Sequence, residues 1–184
     1  MLQKLPADLP LELGALVEPM AVAYHAARLA AVNARDEAVI LGAGPIGIGL
    51  WVALKGLGLE NITVVEASAD RRNAIANLGA TVLDPTVDDV TAIVMASTNG
   101  NGARAVFDAA GAPAAAATGL SCLAPRSLFI AVAVYEKAIE TPLVNLILGE
   151  SYIQGSLGYT SVRGRRSRCH KSVQCIKYGV LCRC

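Results

Sequence analysis

A chain of 184 residues and 19.0 kDa sets a prior of one domain with room for an appendage, long enough to bury a sizeable core. Its composition, 54% hydrophobic, 17% charged and 4% aromatic with 17 Gly and a mean hydropathy of +0.48, excludes a disordered, collagen-like or nucleic-acid-coating chain for most of the length. The formal net charge of +1 hides two unlike parts: residues 1–162 carry 9 basic and all 15 acidic residues, a balance of −6, whereas residues 163–184 carry 7 basic residues and no acid, a balance of +7.

The cysteines divide at the same place. Cys122 stands alone in the acidic part, where one Cys reads as a small buried apolar residue, while Cys169, Cys175, Cys182 and Cys184 fall in the last 16 residues. The first ten residues carry Asp8 and two prolines and no apolar run of the signal-peptide kind, so a cytoplasmic, reducing setting is expected. The longest uncharged stretches, 38–54 and 109–125, are 17 residues each and broken by Gly and Pro, short of the ~20 that a spanning helix needs. No membrane segment is expected.

After a loop around Pro6 and Pro10, residues 13–32 are Ala- and Leu-rich and predict a helix with Pro19 near an early turn. Residues 38–41 (AVIL) form a short apolar run ended by Gly42, and 46–57 predict a helix ended by Gly58. A β-branched strand follows at 62–65, then a helix over 69–78 closed by Gly79. Further along, 81–83 predict a third strand, 88–97 a helix with Asp88 and Asp89 in its first turn, and 103–107 a fourth strand. Residues 112–122 predict an Ala-rich helix, 128–134 a fifth strand and 152–157 a sixth. Strands apolar throughout, alternating with helices every 10 to 15 residues, predict an α/β fold: a doubly wound parallel sheet of about six strands covered on both faces.

The sharpest motif is Gly42-Ala43-Gly44-Pro45-Ile46-Gly47. Three glycines in six residues say little alone, but here they follow a strand and open a helix, and Glu66 ends the next strand 19 residues after Gly47. In that setting Gly42 permits the tight turn, Gly44 lets backbone approach a pyrophosphate, Gly47 lets helix and strand pack closely, and Pro45 fits the first helical turn. The helix start then offers N–H groups and partial positive charge to a diphosphate. A carboxylate at Glu66 accepts both adenosine ribose hydroxyls and repels a 2′-phosphate, which favours NAD over NADP. Arg71 and Arg72 stand against this as candidate phosphate holders, or else as solvated surface charge.

Four stretches, ALVEPMAVAYHAA (15–27), VILGAGPIGIG (39–49), VVEASADRRNAIANLGA (64–80) and VFDAAG (106–111), resemble the medium-chain, zinc-dependent alcohol and polyol dehydrogenases, in the branch of the butanediol, sorbitol and threonine enzymes. The resemblance runs from about Lys4 to Thr160. It implies a Rossmann domain over 38–160 that binds a nicotinamide dinucleotide, preceded by a lead-in loop and helix over 1–37. It also implies that Gly42, Gly44, Pro45, Ile46 and Gly47 line the diphosphate, Glu66 binds the ribose and Arg71 flanks the adenine. Ala109 and Ala110 would border the coenzyme, and the backbone of Val132, Ala133 and Val134 would face the nicotinamide. Glu18 matches a family glutamate near the catalytic zinc, and reads on its own as an acid favoured at a helix start. His25 matches a family histidine on that helix, and reads on its own as a packed residue. Strand 152–157 would sit at the sheet edge, which the family uses to pair two subunits, so the resemblance implies a homodimer or a mixed dimer with a full-length paralogue.

The departures from the family weigh as much. The zinc ligands would precede Met1, so the parent activity, oxidation of a secondary alcohol to a ketone by hydride transfer to NAD with zinc holding the oxygen, is expected to be missing from the chain alone. A non-catalytic dinucleotide-binding or dimerisation module is the alternative. Residues 161–184 (SVRGRRSRCHKSVQCIKYGVLCRC) depart from the family pattern as a basic, Cys-rich tail that is expected to be disordered. Their cysteine spacings lack the paired CxxC of structural zinc sites, and the basic run lacks interleaved aromatics, so neither metal nor nucleic acid is expected there. The abrupt switch reads as a frameshift, a retained intron or a misassigned exon.

Overall fold

The computed structural model describes residues 4–159, so the tail expectations for 161–184 lie outside the described residues. In chain order the elements are α1 (Leu11–Gly14), α2 (Val17–Leu29), β1 (Glu37–Leu41), α3 (Pro45–Gly56), β2 (Asn61–Val65), α4 (Ala69–Ala76), β3 (Thr81–Leu83), α5 (Val90–Ser97), β4 (Ala103–Asp108), α6 (Pro113–Ser121), β5 (Leu123–Ala131), α7 (Leu143–Gly149) and β6 (Tyr152–Gly155). The six strands form one sheet in the order β3-β2-β1-β4-β5-β6, every pairing parallel. This is the doubly wound Rossmann arrangement that the alternating pattern predicts.

Strands without alternation bury both faces, and two cores result. On one face Ile40, Val64 and Phe107 pack with Leu50 and Leu54 of α3 and Ala23 and Ala26 of α2. On the other Val39, Leu41, Val106 and Phe129 pack with Val94 of α5 and Leu120 of α6. Phe107 and Phe129, fully buried on opposite faces, each contribute about 1.5–3 kcal/mol. Cys122 is buried at the end of α6, as expected of a lone apolar cysteine. α2 lies close on α3 because Gly49 has no side chain: a Cβ there would come within 2.9 Å of the Ala23 Cβ.

Several boundaries differ from the sequence expectation, each for a local reason. Asp88 and Asp89 precede α5 instead of occupying its first turn: Asp89 caps the helix by accepting from the Ala92 N–H, and Asp88 accepts from the Asp84 N–H. β5 begins at Leu123 and stops at Ala131, with its register to β4 shifting near Arg126, which takes φ 57°. Val132, Ala133 and Val134 therefore lie in the loop after the strand and not in it. β6 likewise ends at Gly155. α7 carries no sequence expectation: it is a short helix of seven residues in which Leu146 packs on the second core while Leu143, Val144, Ile147 and Leu148 stay exposed, so one residue is too little to mark a buried stripe.

Candidate active site at the carboxyl edge of the sheet

From β1 the chain moves through α3 to β2, and from β4 it moves the opposite way through α6 to β5. The loops after β1 and β4 thus part at the carboxyl edge and open a crevice at the switch point, where doubly wound sheets bind ligands. Gly42, at φ +93°, makes the turn out of β1 and donates its N–H to the Val65 carbonyl at 2.7 Å. A Cβ on Gly47 would lie 1.9 Å from the Gly42 carbonyl oxygen, so only glycine lets α3 start this close to the strand. Gly44 differs: no protein atom lies within 4 Å of where its Cβ would be. Nothing inside the fold demands glycine at 44; the freed space faces outward, as approach of a ligand to the backbone requires. Pro45 is the first residue of α3, and no side chain caps that helix. Its start is left with donors and positive dipole for an anion.

Glu66, one residue past β2 and buried, places its carboxylate across this loop. Oε2 accepts from the Ala43 N–H at 2.7 Å and Oε1 from the Ser68 N–H at 2.8 Å. Each carboxylate oxygen has a second lone pair, which leaves capacity for a pair of hydroxyls. Arg71 and Arg72 separate. Arg72 donates to the carbonyls of Glu66 and Ala67 and pairs with Asp84 at 2.7 Å, so its guanidinium is engaged in holding the β2–α4 turn. Hydrogen bonds from Thr86 and the nearby Arg72 hold the Asp84 carboxyl below its ordinary value. Arg71 is exposed.

On the other side of the crevice Ala109 and Ala110 follow β4, with the Ala109 N–H bonded to the Leu41 carbonyl at 2.9 Å. The Val132 and Ala133 N–H groups both donate to the Asp108 carbonyl, at 3.0 and 2.9 Å, so the amides of these two residues are taken within the fold. Val134 is 87% exposed. Sequence reasoning passed over Asp108, the fully buried last residue of β4. Its Oδ1 accepts from the Ala110 and Gly111 N–H groups at 2.8 and 3.0 Å, and its Oδ2 accepts from the Tyr135 hydroxyl at 2.6 Å. Burial and the neighbouring carboxylate push the Tyr135 hydroxyl pKa up. A charge ending an otherwise apolar strand, in VFDAAG, is the signal that could have found it.

Glu18 is exposed in the first turn of α2, and His25 is half-buried on the same helix. Among the described residues no three His, Cys, Asp or Glu side chains converge as a metal site, so the residues described do not fit a catalytic zinc. Among the described residues no helix is long and apolar enough to cross a membrane.

Comparison with known proteins agrees with this geometry. The model of the zinc-binding dehydrogenase family matches residues 45–177, running past the point, about residue 160, where the motif resemblance stops. The (R,R)-butanediol dehydrogenase of Bacillus subtilis is 33% identical over 162 residues, covering 88% of this chain and 47% of that protein. The crystal structure of 2R,3R-butanediol dehydrogenase from Bacillus subtilis superposes with a TM-score of 0.82 at 32% identity, over 95% of this chain and 48% of the other. L-idonate 5-dehydrogenase from Escherichia coli gives 0.77 at 30% identity, over 85% and 44%. The chain thus spans about half the length of the relatives it matches.

Proposed function

Since the chain belongs to the zinc-binding dehydrogenases, the medium-chain alcohol dehydrogenase family, we propose that residues 38–159 are the NAD(H)-binding half of an oxidoreductase that takes a secondary alcohol to a ketone. The observation that carries this reading is the outward-facing space at Gly44 beside an uncapped helix start, with the buried Glu66 carboxylate 19 residues beyond Gly47. Gly42, Gly44, Pro45, Ile46 and Gly47 hold the diphosphate, Glu66 the adenosine ribose, and Arg71 the rim beside the adenine. Ala109, Ala110 and the Val132–Ala133–Val134 backbone border the nicotinamide, which when bound supplies the hydride acceptor. The butanediol and idonate relatives support a vicinal polyol or diol as substrate class. The chain is read as a coenzyme binder in a cytoplasmic setting.

NAD over NADP follows from Glu66 and Arg72. A 2′-phosphate would meet a buried carboxylate, and the guanidinium best placed to offset it is committed to Asp84. Calorimetric titration of the 184-residue chain tests both parts. NADH is expected to bind saturably, and NADPH at least about ten-fold more weakly, a gap that Glu66→Gln narrows. Absence of NADH binding at millimolar concentration overturns the coenzyme reading, and equal affinities overturn the preference.

A second reading rests on β6, whose four residues are all exposed at the sheet edge next to the exposed α7. The chain is proposed to pair with a second copy through this edge. Light scattering on the eluted protein distinguishes a 19.0 kDa monomer from a species of twice that mass.

A further inference from the structure

The loops after β4 and β5 are joined at three places, and Asp108 takes part in two of them. Its carbonyl receives the Val132 and Ala133 N–H groups, and its Oδ2 receives the Tyr135 hydroxyl at 2.6 Å. Between these, Gly111 at φ +68° lies so close to the second loop that a Cβ would sit 3.0 Å from the Val134 carbonyl oxygen. The same carboxylate holds the first loop through Ala110 and Gly111. Tyr135 is a half-buried aromatic with one polar atom, and that atom is spent on Asp108.

Every residue assigned to the nicotinamide side, from Ala109 and Ala110 to Val134, therefore lies on a segment tethered to one buried residue, Asp108, through its carboxylate or its main-chain carbonyl. The adenosine side is held by another set: the glycine turn, Glu66 with the Ala43 and Ser68 amides, and Arg72 with Asp84. We propose that Asp108 and Tyr135 are positioning residues, a clasp that sets the loop after β5 at the height a nicotinamide ring needs; this rests on the dinucleotide reading above. The clasp touches neither ligand nor reacting atoms. It selects for the whole dinucleotide over its adenosine fragment by keeping the second wall of the crevice in place before the coenzyme arrives.

The test compares NADH with ADP-ribose, which lacks the nicotinamide, by calorimetry on the full chain and on Tyr135→Phe, a variant short of one oxygen atom. The expected result is a loss of about five-fold in NADH affinity with ADP-ribose affinity unchanged within about two-fold. Undisturbed ADP-ribose binding also shows that the variant is folded. Unchanged NADH affinity overturns the clasp, as does an equal loss for both ligands, which would make the hydroxyl a general fold determinant. A wild-type chain that binds ADP-ribose but binds NADH no more tightly overturns the clasp and leaves the adenosine half standing. A wild-type chain that binds neither overturns the dinucleotide reading and the clasp with it.

Discussion

The two walls of the crevice are built by different means. On the adenosine side the shape comes from side chains that are missing: Gly47 lets a helix rest on a carbonyl oxygen, Gly42 turns at positive φ, and Gly44 leaves space. Glu66 reaches across the turn, and the glycine turn, the helix start and this carboxylate all fall within residues 42–66. On the nicotinamide side the shape comes from one side chain that is present, the buried Asp108 carboxylate, which gathers Ala110, Gly111 and, 27 positions along the chain, Tyr135. The comparison teaches that backbone geometry can be written in a short motif, whereas a side-chain hub is written in residues that come together only after the strands have paired.

Three changes sharpen or break that contrast. The largest effect is expected from Gly47→Ala, because a Cβ 1.9 Å from a backbone oxygen forces α3 away from β1. NADH binding measured by calorimetry should fall more than about 100-fold, together with a lower melting temperature, as overpacking of about 1–3 kcal/mol or more implies. A variant that binds normally would show that the turn is not shaped by absent atoms. Asp108→Ala comes next: it leaves two partly buried amides and a half-buried phenol without their acceptor, a cost of about 2 kcal/mol in a denaturant titration. Loss under about 1 kcal/mol would mean that the hub is dispensable.

The smallest effect lies at the opposite end of the sheet. Burial raises the Glu37 carboxyl above its ordinary value, partly opposed by the hydrogen bond from Thr63. A carboxyl raised in the folded state favours folding when protonated, so its contribution is present at acid pH and is lost as pH rises through the folded-state value. Glu37→Gln should therefore raise the melting temperature at pH 7 by on the order of 1 °C and have no such effect below pH 4.5, the ordinary value of the group. An effect larger at low pH would reverse the assigned sign.

The sequence made the sheet legible because β1, β2 and β4 are apolar on both faces and glycines punctuate the helices after them. Gly58 and Gly79 both take φ +92° just past α3 and α4. The glycine turn between β1 and α3 was legible for the same reason. What escaped depended on neighbours distant in the chain. β5 starts early because Leu123 pairs with Ala103 across a register shift, and Val132 leaves the strand because its amide turns to the Asp108 carbonyl. α7 escaped because only Leu146 of its apolar residues turns to the core, too little for a periodic stripe to mark it. Arg71 and Arg72 are the same residue type side by side, and the Glu66 and Ala67 carbonyls together with Asp84, brought alongside by β3, separate a structural arginine from an exposed one.

The sheet has two edges of unequal kind. β3 offers three residues, with Thr81 outermost in exposure, while β6 offers Tyr152 and Ile153, which are 63% and 40% exposed. Short edges resist further pairing and longer apolar ones invite it, so strand addition to this sheet has a polarity. Pairing of β6 with β6 about a two-fold axis consumes the adhesive edge of both copies and presents only β3 edges outward. Assembly by that route closes at two, whereas joining β6 to β3 would leave an open end on every added copy and grow a filament.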